Sequence, residues 1–156
     1  MTVRLPPFQA FLDANREQVF RFLMGLVGPL DADDCFQETF LAALRAYPRL
    51  RDASNLRAWV LTIAHRKAMD HHRGRARRAE PVAEVPEVSD REPAGSDPEL
   101  WRAVRRLPPR QRAAVVGRYV NDLAYRDIAR ITGGTEQAAR RNAADGIAKL
   151  REAWAG

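Results

Sequence analysis

Lysine is nearly missing from this 156-residue chain: Lys67 and Lys149 stand against 24 arginines, so the positive charge is carried by guanidinium groups. Cysteine is scarcer still. Cys35 alone excludes an intramolecular disulfide framework and suits a reducing compartment. No apolar run could cross a bilayer, since FRFLMGLVG is short and carries Arg21, and no signal peptide is evident. No segment alternates as a half-buried strand would; every periodic stretch has a period near 3.6. A glycine-rich phosphate loop and a Ser/His/Asp arrangement are also missing, which argues against an enzyme. These absences together point to a soluble, cytoplasmic, all-α protein with no membrane insertion.

The charge that is present falls in three blocks. Residues 1–78 carry 13 basic and 8 acidic groups, residues 79–98 carry 1 and 6, and residues 99–156 carry 12 and 6. The middle segment, AEPVAEVPEVSDREPAGSDP, has four prolines and no aromatic residue. Proline fixes φ and removes donors, and so little apolar surface cannot offset the entropy of ordering. The expected organisation is two small helical bundles, 1–78 and 99–156, joined by a flexible acidic Pro-rich linker at 79–98. Units this small bury proportionately little surface and gain from a partner.

Helix signals are local and clear. Phe8, Phe11, Leu12, Val19, Phe20 and Leu23 trace one amphipathic helix that stops at Gly28-Pro29. Asp31 is the expected cap of a second helix reaching Tyr47, with Cys35, Phe36, Phe40 (or Thr39), Ala43 and Leu44 inward. Ser54 or Asn55 should cap a third, running to about Arg78. Asp97 and Pro98 suit a helix start, with Leu100, Trp101, Val104 and Leu107 as its apolar face. Helices from Pro108-Pro109 to Val120, Ala124 to Ile131 and Thr135 to Ala153 complete the reading.

Three stretches carry binding chemistry. NLRAWVLTIAHRKAMDHHRGRARR has seven basic residues between Arg57 and Arg78 against one acid, Asp70, with Trp59, Ile63 and Met69 interleaved. Cations with stackable neighbours suit a polyanion that carries bases. LAYRDIARITGGTEQAARRN reads as a helix-turn-helix, with Gly133 in the turn and Thr135 capping the second helix. That helix would bury Ala139, Ala143, Ile147 and Leu150 and show Glu136, Gln137, Arg140, Arg141 and Ala144 to base edges. In contrast, no Lys or Arg occurs between Phe22 and Leu44, where Asp31, Asp33, Asp34 and Glu38 gather. Acids favour a helix N-terminus, but this many on a cationic unit suggest a basic protein partner.

Other reactive side chains fit bland roles. His65, His71 and His72 lack a nearby Cys or second carboxylate to complete a tetrahedral metal site, and Cys35 falls on a buried helix face. No metal or cofactor is expected.

DADDCFQETFLAALRAYP followed by the Asn55–Arg78 stretch resembles domain 2 of bacterial RNA polymerase sigma factors, and LPPRQRAAVVGRYVNDLAYRDIARITGG resembles their domain 4. The compact layout is similar to the extracytoplasmic-function (ECF) group. That resemblance implies a subunit that binds core polymerase, through its β′ and β subunits, and directs initiation at promoter DNA. It places Asp33, Asp34, Gln37, Glu38 and Phe40 on core polymerase. Asn55, Leu56, Arg57, Trp59, Arg66, Lys67, Asp70, Arg73 and Arg75 would take the −10 element, and Arg110, Arg112, Thr135, Glu136, Gln137, Arg140 and Arg141 the −35 element. An anti-sigma factor is a further implied partner. The recognition helix departs from the family's pattern: it is Ala-rich, and it carries Asp145 and Gly146. Two other readings stay open, a helix-turn-helix regulator that binds duplex DNA unaided and a helical adaptor with no DNA role.

Overall fold

The computed structural model describes residues 4–78 and 97–154, the side chains of 75–78 apart. The 79–96 part of the expected linker therefore lies outside the described residues, as does the Arg75 side chain. No strand occurs among the described residues. The first unit is α1 (Phe8–Val27), α2 (Pro29–Ala46), a 3-10 turn (Tyr47–Arg49) and α3 (Leu56–Arg78). The second is α4 (Pro98–Arg106), α5 (Pro109–Val115) with a π-helical continuation (Val116–Val120), α6 (Tyr125–Thr132) and α7 (Glu136–Trp154).

Local chemistry explains most boundaries. Gly28 adopts φ 86°, ending α1, and Pro29 opens α2, where a missing N–H costs nothing. Asp31 consequently sits inside the first turn, and the N-cap position is Gly28. Of the two caps expected for α3, Asn55 takes the role: its Oδ1 accepts from the Ala58 N–H at 3.0 Å. Asp97 accepts from Glu99 N–H at 2.9 Å, and Gly133 turns the chain between α6 and α7 with φ 78°.

The first unit closes around an aromatic cluster. Phe11 meets Tyr47, Phe8, Trp59 and Phe40 at centroid separations of 5.2 to 6.3 Å, within the range of favourable aromatic pairs. Two residues expected to face inward do not. Leu44 on α2 and Leu100 on α4 are 49% and 40% exposed. On α2 the inward positions are filled by Ala32, Cys35, Thr39, Phe40 and Ala43, and Leu44 falls on the opposite side.

The two bundles are packed together. Every residue from Phe22 to Val27 is buried, because α2 and α3 cover one side of α1 while α4 and the π-helical segment cover the other. A helix apolar all round is stable only when covered all round.

Candidate nucleic-acid interface

The cationic helix α3 is held by Asn55 at its start and by its buried side, Ala58, Val60, Leu61, Ala64 and Ala68, against α1 and α2. Arg66 and Arg73 point outward, and Arg73 pairs with Asp70 one turn earlier. Leu56, Arg57, Trp59 and Lys67 are half-buried. Trp59 packs on Phe11 and Tyr47 at 5.7 and 6.3 Å, so its ring is a core element. Of the histidines, His71 lies 3.2 Å from Asp31 of α2, tying α3 to α2. His65 is held neutral: burial first, then the Arg110 and Arg66 charges, push its pKa below the ordinary value of 6.5. No metal-ligand cluster occurs among the described residues.

The outward face of α3 is not open. Thr62, His65, Arg66, Met69, Asp70 and Arg73 form one wall of a cleft of about 360 Å³. The other wall is Arg130, Ile131, Thr132 and Gly133, the end of α6 and the turn after it. At the start of α3 the Asn55 amide donates to Asp127 of α6 at 3.2 Å.

The helix-turn-helix is formed by α6 and α7. Gly133 and Gly134 donate to the Ala129 carbonyl at 2.9 and 3.0 Å, and Thr135 Oγ1 accepts from Ala138 N–H at 3.0 Å. Thr135, Glu136, Gln137, Arg140 and Arg141 are all exposed, and so is Arg110. Arg140 is preorganised: it pairs with Glu136 at 2.9 Å, and its guanidinium lies 4.7 Å from the Tyr125 ring centroid. Arg118 lies over the same ring at 4.6 Å. The sequence did not single out Tyr125; its position four residues after Asn121 in a loop-to-helix junction carries no local signal.

The small residues of α7 have a packing cause. Ala139, Ala143 and Gly146 are buried, and a Cβ on Gly146 would lie 2.6 Å from Val115 Cγ2. The departure from larger residues is thus how α7 approaches α5. Arg112 is the site residue whose place differs most from expectation. It is only 8% exposed, and its guanidinium donates to the carbonyls of Leu26 and Leu107 at 2.9 and 3.0 Å. In this arrangement it faces the first unit.

The acidic helix α2 presents Asp34, Gln37 and Glu38 to solvent. Leu30, Leu41 and Leu44 share that exposure at 46, 53 and 49%, at spacings that form one stripe with Asp34 and Gln37. Apolar side chains flanked by acids mark a protein-binding face; of these leucines the sequence reading placed only Leu44, and placed it inward. Phe40 was expected on this face and is 6% exposed; it packs on Phe36 at 4.8 Å inside the bundle. Asp33 lines a groove of about 510 Å³ with Asp13, Arg16, Glu17, Phe20 and Phe36 between α1 and α2. Behind the stripe, Cys35 has its thiol pKa pushed up to about 11, by burial first and then by Glu38, Asp31 and Asp34. It is an unreactive core thiol at neutral pH.

Residues 11–78 match the family Sigma-70 region 2, and residues 98–150 match Sigma-70, region 4. The chain is 34% identical over 131 residues to the ECF RNA polymerase sigma factor SigC of Mycobacterium tuberculosis, covering 80% of this chain and 71% of that one. The chain is an ECF-group RNA polymerase sigma factor. It is also 32% identical over 152 residues to the sigma factor CarQ of Myxococcus xanthus, covering 89% of this chain and 83% of its relative. Its fold is that of the sigma factor RpoE from Bartonella quintana, solved with the anti-sigma factor NepR: TM-score 0.77 and 24% identity, over 93% of this chain and 94% of that one. As a sigma factor it binds core RNA polymerase and directs promoter-specific initiation. No helix among the described residues is long and apolar enough to cross a membrane.

Proposed function

We propose that three separate faces divide the work of this sigma factor. The α2 stripe, Asp34, Gln37 and Glu38 with Leu30, Leu41 and Leu44, docks on core polymerase: its leucines lose water while the acids meet a basic surface. Asp33 adds charge at the edge. The α3 face, from Asn55 through Arg57, Arg66, Lys67, Asp70 and Arg73 with Arg75, takes the unpaired −10 strand. Cations there neutralise phosphates and offset the few kcal/mol, in order of magnitude, needed to unstack a base. Leu56 and Trp59 form the floor from within the core. Helix α7, through Thr135, Glu136, Gln137, Arg140 and Arg141 with Arg110 beside it, reads the −35 duplex. The working boundaries are 1–78, 79–98 and 99–156. The chain itself catalyses nothing, works in the cytoplasm, and takes an anti-sigma factor as a regulating partner, as its solved relative does.

The observation that carries this reading is the exposed anionic and leucine-bearing stripe on α2, in a chain whose other two functional helices show arginine. Core polymerase reconstituted with this chain should give run-off transcripts from a promoter selected by that holoenzyme. Absence of both transcripts and core binding would remove the reading. Tight binding of the free chain to duplex DNA, with no core binding, would favour a plain helix-turn-helix regulator.

A further inference from the structure

Arg130, near the end of α6, is exposed and lies outside the residues placed on the −10 and −35 elements. It stands one turn from Asp127, on the side of α6 that meets α3. There it lines the same cleft of about 360 Å³ as Arg66 and Arg73, from the opposite wall. Among the described residues, neither Arg66 nor Arg130 forms an ion pair. Asp52 feels the Arg130 charge, but its carboxyl is held below the ordinary value first by its hydrogen bonds with Ser54. Arg73 is partnered by Asp70, so the cleft sets three guanidiniums against one carboxylate.

Nothing else in the lining offsets that excess. The hydroxyls of Thr62 and Thr132 donate to the Ala58 and Ile128 carbonyls at 2.7 and 2.9 Å, so their protons are taken. His65 is held neutral by burial first, then by the Arg110 and Arg66 charges, a sign that the positive field belongs to the cleft and not to one side chain. The donors that face the cleft are therefore planar guanidiniums, on both walls, and these match oxyanions two oxygens at a time. Met69 and Ile131 add apolar surface between them. The volume falls within the range of about 300–1,000 Å³ found for small-molecule sites. A singly charged ion leaves one wall uncompensated, whereas an anion with two or more charges can meet both.

We propose that this cleft is a binding site for a small polyphosphate anion, inorganic pyrophosphate or the phosphate chain of a nucleotide. Its oxygens bridge Arg66 and Arg73 of α3 to Arg130 of α6, and the ribose or base of a nucleotide lies on Met69 and Ile131. The ligand is held only while both walls face it, so its binding stabilises the folded, packed chain by mass action. The site itself does not depend on the division of labour among the three faces, since Arg130 belongs to none of them. Arg66 and Arg73 do belong to one, so ligand and unpaired −10 strand compete for the same guanidiniums, a consequence that rests on the assignment of α3.

Calorimetric titration of the full chain with pyrophosphate, ADP and inorganic phosphate at low ionic strength tests the site. Pyrophosphate and ADP should each bind once per chain, about tenfold or more tighter than phosphate, and raise the melting temperature. Tighter binding of ADP than of pyrophosphate assigns the site to a nucleotide; equal binding assigns it to the phosphate chain alone. Arg130→Gln should weaken pyrophosphate about tenfold with helix content unchanged by circular dichroism. Arg45→Gln, exposed on α2 and outside the cleft, should leave it unaltered. Proton NMR of His65, identified with His65→Gln, should show its pKa rising when pyrophosphate is bound, because the anion offsets the neighbouring arginines. The proposal is overturned if pyrophosphate binds no tighter than phosphate, or if Arg130→Gln binds it undiminished. Equal losses in Arg130→Gln and Arg45→Gln would also overturn it, since they would mark diffuse attraction to a chain of net charge +6. Displacement of a labelled single strand by ADP tests the consequence separately: a bound ligand that displaces no strand would count against α3 as the −10 face and leave the site standing.

Discussion

Arg112 donates through Nη1 to the backbone carbonyl of Leu26, 2.9 Å away and 86 residues earlier in the chain. Burial, and then the neighbouring Arg105 charge, lower the guanidinium's pKa from its ordinary value, although arginine stays charged at any physiological pH. A charge in this setting is tolerated because the Leu26 and Leu107 carbonyls both accept from it.

Replacing it should therefore be costly. Arg112→Met keeps much of the volume but leaves the Leu26 and Leu107 carbonyls without their donor. A loss of about 1.5–3 kcal/mol is expected, in line with hydrogen bonds to charged groups. Urea unfolding of the full chain checks this, and a change below about 0.5 kcal/mol would show that the pairing contributes nothing net.

Reversal of Asp34 and Glu38 to lysine should weaken association with core polymerase by tenfold or more, since like charges then meet across the interface. Leu41→Ser with Leu44→Ser should act similarly while leaving the fold intact, because both leucines are about half exposed already. Competition against a labelled sigma factor for core polymerase measures both. Undiminished binding by both pairs would remove α2 from the interface.

Tyr125 stacks beneath Arg140 and should act by holding that guanidinium where it can meet a base edge. Tyr125→Phe keeps the ring and should retain −35 discrimination. Tyr125→Leu loses a contact worth about 0.5–1 kcal/mol at an exposed site, so selected −35 sequences should broaden at the position Arg140 reads. Equal broadening by Phe and Leu would rule out a stacking role.

Acid should destabilise the chain through His65. Its folded pKa lies below 6.5, so above that value folded and unfolded forms are both neutral and the residue has no effect. As pH falls through 6.5 the unfolded chain takes up a proton that the folded one refuses, beside Arg66 and Arg110, and stability drops. Melting temperatures of the wild type and His65→Gln should diverge below pH 6.5 and run parallel above it. Parallel curves throughout would exclude this histidine.

Gly146→Ala sets two effects against each other. Alanine favours the helix by about 1 kcal/mol, but its Cβ would lie 2.6 Å from Val115, and overpacking typically costs about 1–3 kcal/mol. The clash should win, and Val115→Ala in the same chain should relieve it. Thermal unfolding of the single and double variants decides the sign.

Helix number, order and type were legible in the residues, as was the helix-turn-helix, because proline, glycine and Asx or Thr caps act on the backbone within a turn of where they stand. Gly28-Pro29, Asn55, Asp97-Pro98 and Gly133-Thr135 all appear where such chemistry puts them. The acidic patch on α2 was legible too, since charge needs no partner to be recognised.

The side of a helix that becomes surface was a different matter. Phe40 and Leu44 are both apolar and four residues apart on α2, yet one enters the aromatic cluster and the other stays in water. Arg112 resembles every other arginine in composition, and nothing within several residues marks it for burial against Leu26. Burial depends on which surfaces meet across long stretches of chain, and periodicity is blind to that. Local backbone preference wrote the helices; non-local packing chose which arginine would be hidden and which leucines shown.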